Sequence, residues 1–249
     1  MNIFVCVSLV PDSTTKVKIA SDGKSIDDSG VSFIINPYDE FAVEEAIRLK
    51  ESKGGEVTVV SVGTDKAKEA IKKAFQMGAD KGVLIKTDTA GFDSYFVAKN
   101  LSDYLKDKKA DIIFFGKQSI DFDGQLIPSM VSELLNIPSV SVVVKLDINE
   151  NTVTAEREIE GGKEVVEAAM PVIIGAQKGL NEPRYPNLKS IMAAKSKPIE
   201  EVQATNSESR TVINEMTLPP AKTSGKIFQN GKDDVSELVR LLREEAKVI

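Results

Sequence analysis

One stretch of the chain spells a phosphate grip: Gly116-Lys117-Gln118-Ser119-Ile120-Asp121-Phe122-Asp123-Gly124 follows at once on the apolar run Asp111 to Phe115. A glycine-bearing loop leaving the carboxyl end of a parallel strand gathers backbone amides and the amino end of the next helix, which together hold anions. An ordinary strand-to-helix turn has the same spelling, and the segment alone does not separate the two. A second segment, Ala155 to Glu164, reads as a charged hairpin whose plain role is a solvated face. The third runs from Lys178 to Glu200, basic and broken by prolines, with Leu188, Ile191 and Met192 interrupting it. An exposed apolar tip among cations suits docking to a partner; a loop folded onto its own core accounts for it equally.

Other chemistry is excluded by what is missing. No histidine occurs, which removes Ser/His and Cys/His nucleophiles and imidazole-based zinc sites. A lone cysteine, Cys6, rules out intrachain disulfides and thiolate clusters for zinc or iron–sulfur centres. Neither GxxxxGK[ST] nor GxGxxG is present. Acid–base work by carboxylates needs a perturbed pair in a cleft, and no spacing singles one out. The chain is therefore expected to have no catalytic residues of its own.

The elements that must position these segments are readable from composition and periodicity. The chain has 249 residues, 41% hydrophobic and 28% charged, the profile of a folded globular protein with one large domain and appendages. With 32 basic and 38 acidic residues the net charge is -6, which argues against nucleic acid as a partner. Met1 to Asp12 lacks basic residues before its apolar run and reads as a first strand rather than a signal peptide; nothing approaches a membrane span. A reducing cytoplasm is the expected compartment. Runs rich in β-branched residues at Ile3 to Val7, Val57 to Val62, Gly82 to Ile85, Asp111 to Phe115, Ser139 to Val144 and Val172 to Ile174 suit strands covered on both faces. Helical patterns at Glu40 to Glu51, Asp65 to Met77 and Ser94 to Lys106 alternate with them, which implies βαβ units and a mostly parallel, doubly wound α/β sheet. Asn36-Pro37-Tyr38-Asp39 is a helix start, with Asn36 as the expected cap, Pro37 at the first position and Asp39 in the first turn. Gly161-Gly162 between two extended segments signals a β-hairpin. Beyond residue 200 the chain turns polar and proline-bearing, then ends in a helix with Val235, Leu238, Val239 and Leu242 on one face.

Taken in order, INPYDEFAVEEAIRLKE, VTVVSVG, KAFQMGADKGV, GKQSID, REIEGG and LNEPRYPNLKSIM resemble the β subunit of electron transfer flavoproteins, across essentially residues 1 to 200. The resemblance implies a Rossmann-like fold of the adenine nucleotide alpha hydrolase-like kind over 1–200, with a partner-recognition loop near 181–195. It also implies an extended arm with a terminal helix over 201–249, docking on an α subunit. It implies a heterodimer in which the α subunit carries the redox FAD while this subunit holds AMP, or a second FAD in electron-bifurcating members that oxidise NADH. Donors would be acyl-CoA and related dehydrogenases, and the acceptor a quinone oxidoreductase. A stand-alone adenine nucleotide-binding protein is a further reading.

Carried over residue by residue, the nucleotide pocket comprises Cys6, Asn36, Pro37, Tyr38, Asp39, Val62, Gly116, Gln118, Asp121, Asp123, Gly124, Gln125, Leu126 and Ile127. Asp121-Phe122-Asp123-Gly124-Gln125-Leu126-Ile127-Pro128 is a residue shorter than the family pattern and lacks its threonine hydroxyl. Two carboxylates beside a phosphate repel it, so Asp121 and Asp123 are expected to face outward. Arg157 and Glu158 fall where the family meets the mobile FAD domain of the α subunit, and Leu188, with Ile191 and Met192, where it docks a dehydrogenase.

Overall fold

The computed structural model describes residues 1–88, 93–205, 209–222 and 225–249; parts of the polar stretch after residue 200, at 206–208 and 223–224, lie outside the described residues. Two compact units divide the chain, Met1–Met216 and Thr217–Ile249.

The first unit begins with β1 (Asn2–Cys6), a short antiparallel pair β2 (Leu9–Pro11) and β3 (Phe33–Ile35), α1 (Pro37–Lys53) and β4 (Glu56–Gly63). It continues with α2 (Lys68–Met77), β5 (Lys81–Lys86), α3 (Ser94–Leu105), β6 (Ile112–Gly116) and α4 (Leu126–Leu135). Then come β7 (Ser139–Asn149), β8 (Thr152–Ile159), β9 (Gly162–Ala169), β10 (Val172–Ala176), α5 (Leu188–Lys195) and β11 (Ile199–Gln203). Nine of these strands join in one sheet, ordered β11-β5-β4-β1-β6-β10-β7-β8-β9. The order runs outward from β1 through β4 to β5, then reverses to β6 and β10. All pairs are parallel except β7 with β8 and β8 with β9. The expected hairpin is β8–β9, with Ile159 opposite Gly162 and Gly161 at φ 82° in the turn.

The period-two alternation of a strand sorts its side chains to two faces. Ile3 and Val5 of β1 pack with Ala42, Val43 and Ile47 of α1 and Ile71 and Phe75 of α2. Phe4 and Cys6 pack with Ala98, Leu101 and Leu105 of α3 and Val131 of α4. The result is a doubly wound α/β/α sandwich, the architecture expected from the sequence. The helix expected from Asp65 starts with a 3-10 turn over Asp65–Ala67 before α2 proper.

In the second unit a 3-10 turn, Gly231–Asp234, leads into α6 (Val235–Glu244). None of the described residues of 217–249 is buried.

Candidate functional site

A doubly wound sheet opens a crevice at the carboxyl ends of its strands where the strand order reverses. Here that point lies between β1 and β6. Asp39, in the first turn of α1, is buried there, its carboxylate spanning the two strand ends. Its Oδ2 accepts from the Ser8 amide at 2.7 Å and the Ser8 hydroxyl at 3.0 Å, just past β1; its Oδ1 accepts from the Gly116 amide at 3.2 Å, at the end of β6. Burial pushes this carboxyl up to about 7, against the pull of the donors around it. Gly116 must be glycine for this geometry: a Cβ would press on the Asp39 carboxylate and lie 2.7 Å from the backbone carbon of Tyr38.

Asn36 departs from its expected role. Its side chain makes no capping bond to α1. It donates instead to Asp39 Oδ1 at 2.8 Å and to the Gln118 carbonyl at 2.8 Å, and accepts from the Ile120 amide at 3.3 Å. The carboxamide is drawn into the loop after β6, because that loop presents both a carbonyl and an amide to it. Pro37 occupies the first helical position, and the Lys117 ammonium sits 5.0 Å from the centre of the Tyr38 ring.

The loop from Lys117 to Gln125 is self-bonded. Ser119 N donates to the Gly124 carbonyl at 3.0 Å, and Gln118 accepts from Gln125 Nε2 at 3.0 Å while donating to Asp123 Oδ1 at 2.8 Å. Asp121 and Asp123 are exposed, the first accepting from the Phe122 amide. Leu126 is exposed at the head of α4 and Ile127 is half-buried against the α3–α4 core. The amino ends of the helices differ in a way that bears on anions. Asp39 and Glu40 stand in the first turn of α1, Glu69 in that of α2, and Asp93 caps α3. The amino end of α4 has neither a capping side chain nor an acidic residue in its first turn, so its partial positive charge is uncompensated.

Cys6, at the end of β1, is buried; burial, and secondarily the charge of Asp39, push its thiol well above its ordinary range, so it supplies surface rather than a nucleophile. Val62 is half-buried near the end of β4, two residues past Val60, the partner of Cys6. Thus Asn36, Asp39, Gly116 and Gln118 are joined by direct bonds, Cys6 and Val62 lie on adjacent strand ends, and Gly124 to Ile127 lead into α4. A cavity of about 390 Å³ lies elsewhere, between the β2–β3 pair and α1–α2, with Leu9, Phe33 and Ile35 in its wall. Its cations Lys72 and Lys73 are paired with Glu69 and Glu40.

The segments expected to meet partners lie on the surface. On β8, Arg157 Nε stands 3.3 Å from Glu164 Oε2 of β9, so its charge is answered inside the hairpin. Glu158 is exposed and accepts from Gln177. Leu188 and Met192 on α5 are 76% and 58% exposed, and Ile191 is half-buried. Tyr185, three residues before Leu188, is 97% exposed and is a further apolar group of this segment that the sequence did not single out. An aromatic residue between two prolines was the signal for it. Asn187 caps α5 through Ser190 N at 2.9 Å. Among the described residues no group of acidic or cysteine side chains is arranged to hold a metal ion, and no helix is long and apolar enough to cross a membrane.

Comparison with known proteins points the same way. The model of the electron transfer flavoprotein domain matches residues 24–207. A protein of Bacillus subtilis called electron transfer flavoprotein subunit beta is 42% identical over the whole of both chains. Proteins of the same name from Syntrophomonas wolfei and Mus musculus are 41% identical over 100% of this chain and 98% of theirs, and 34% identical over 96% of each. A full-length match of this kind, on a doubly wound sheet with a crevice at its reversal point, places this chain in the β-subunit family of electron transfer flavoproteins.

Proposed function

We propose that this chain is the β subunit of an electron carrier, which binds AMP in the crevice between β1 and β6 and pairs with an α subunit bearing FAD. It would work in the cytoplasm, receive electrons from acyl-CoA and related dehydrogenases, and deliver them to a quinone-linked acceptor. The observation that carries the nucleotide assignment is the amino end of α4, which has neither a capping side chain nor an acidic residue in its first turn, while both loop carboxylates are exposed to solvent. Backbone amides from Asp123 to Ile127 would hold the phosphate, since a buried phosphate needs several donors at once. Cys6 and Val62 supply apolar surface for the adenine ring, and Asn36 and Asp39 fix the loop and strand ends around it. FAD supplies the redox chemistry, which this chain's own side chains do not.

The residues of the surface suit transient contacts. Glu158, exposed and bonded to the neutral Gln177, would meet a cation of the α subunit, and an exposed ion pair of about 0 to 1 kcal/mol breaks as readily as it forms. Leu188 offers about 1.5 to 3 kcal/mol on burial in a donor's pocket. A stand-alone nucleotide-binding protein would leave this apolar face and the unburied terminal unit without a use.

Mass spectrometry of the small molecules released from the purified heterodimer tests the reading. One FAD and one AMP per heterodimer is the expected result; two FAD and no AMP would instead make this an electron-bifurcating member, and no nucleotide at all would overturn the assignment of the crevice.

A further inference from the structure

The segment that carries Tyr185 and Leu188 has no ladder of its own, yet it is fastened to α1 with unusual thoroughness. Arg184 gives Glu44 three bonds: Nε to Oε2 at 2.8 Å, Nη2 to Oε1 at 3.1 Å and its own backbone amide to Oε2 at 3.1 Å. Two more go to Glu51, at 2.6 and 3.0 Å. Glu44 and Glu51 are seven residues apart, two helical turns, and so share one face of α1. The Glu44 side chain is only 5% exposed. Upstream, Asn181 donates to the Phe41 carbonyl at 3.0 Å and to Glu45 Oε2 at 2.8 Å, while its own Oδ1 is buried without a hydrogen-bond partner. Pro183 and Pro186 bracket Arg184 and restrict the backbone further.

A buried ion pair adds little net stability over apolar residues of similar size, and its best-attested use is to specify geometry. An orphaned buried oxygen likewise costs free energy. The helix that receives all these bonds is also the one whose amino end builds the crevice through Asn36 and Asp39. We propose that Arg184 and Asn181 are positioning residues for docking: through Glu44, Glu45 and Glu51 they hold the apolar patch of Leu188 in fixed register with the cofactor crevice, by fastening both to α1. The proposal rests on the reading of Leu188 as a docking anchor.

The test uses the reconstituted heterodimer with an acyl-CoA dehydrogenase as electron donor. Glu44→Met with Arg184→Met removes the ion pair as a unit, so no buried charge is stranded and the fold is kept. It is expected to raise KM for the dehydrogenase about 3- to 10-fold, with kcat and nucleotide content unchanged, and to speed amide exchange over 181–192. Leu188→Ala is expected to raise KM about tenfold, the factor that 1.4 kcal/mol corresponds to. Adding Leu188→Ala to the double variant should raise KM no further than Leu188→Ala alone, because residues acting through one contact are not additive. If Leu188→Ala raises KM and the double variant does not, or if the effects multiply, the positioning role is overturned while docking stands. If Leu188→Ala leaves KM unchanged, the docking reading falls and this proposal with it.

Discussion

At Asp39 three obligate donors, the amides of Ser8 and Gly116 and the side-chain amide of Asn36, converge on one carboxylate in an apolar setting. Ionisation satisfies the donors but is opposed by burial, which is why the group titrates near neutrality rather than near its usual 3.8. The Ser8 hydroxyl can reverse from donor to acceptor, so a proton on Oδ2 also finds a partner. The folded-state value lies above the unfolded one, so the stability linked to this group is fully present below about 4 and is lost as pH rises through about 7. Asp39→Asn abolishes the titration but sets an amide donor against one of the three donors. The stability advantage of the native protein over this variant, from urea midpoints, should therefore shrink by a few kcal/mol between pH 5 and pH 8. An advantage constant across that range would show that Asp39 stays ionised throughout.

At the scale of elements, the contact of α1 with the end of β6 depends on Gly116. Gly116→Ala forces the first turn of α1 away from the strand, and the expected cost is about 1 to 3 kcal/mol in unfolding free energy, as for other overpacked sites. Loss of bound AMP from the purified heterodimer should accompany it; full nucleotide retention would mean the crevice tolerates the shift. The parallel strands were legible because both their faces are covered, which leaves continuous apolar runs such as Val57 to Val62. Three-residue strands such as β2 and β3 carry no such run, and β11, reading IEEVQ, is polar because it is an outer strand held by charges: Lys68 pairs with Asp65 and Glu201, and Lys86 pairs with the same two carboxylates. Local signals misled at Asn36, where bonds to a loop 82 residues on outweighed the cap chemistry of its own helix. The grip of Arg184 on Glu44, across 140 residues, has no local signature at all; only the folded sheet brings them together.

For the whole molecule, the core lies within 1–216, while none of the described residues of 217–249 is more than half-buried. Val235 and Leu238 of α6 are 53% and 39% exposed, and its charges pair within the second unit, Arg240 with Glu237 and Glu244 along the helix and Lys226 with Glu237. Ending the chain after Met216 should leave far-ultraviolet circular dichroism and cooperative melting of the remainder nearly unchanged. It should weaken assembly with the α subunit at least tenfold by titration calorimetry, since each buried aliphatic side chain supplies about 1.5 to 3 kcal/mol. Collapse of the truncated fold, or unimpaired assembly, would contradict the assignment of α6 as an assembly element. If α6 docks on the α subunit as proposed, heat resistance becomes a property of the mixture, rising with the concentration of the companion by mass action. A melting point for this protein would then carry meaning only with the stoichiometry and dilution quoted beside it.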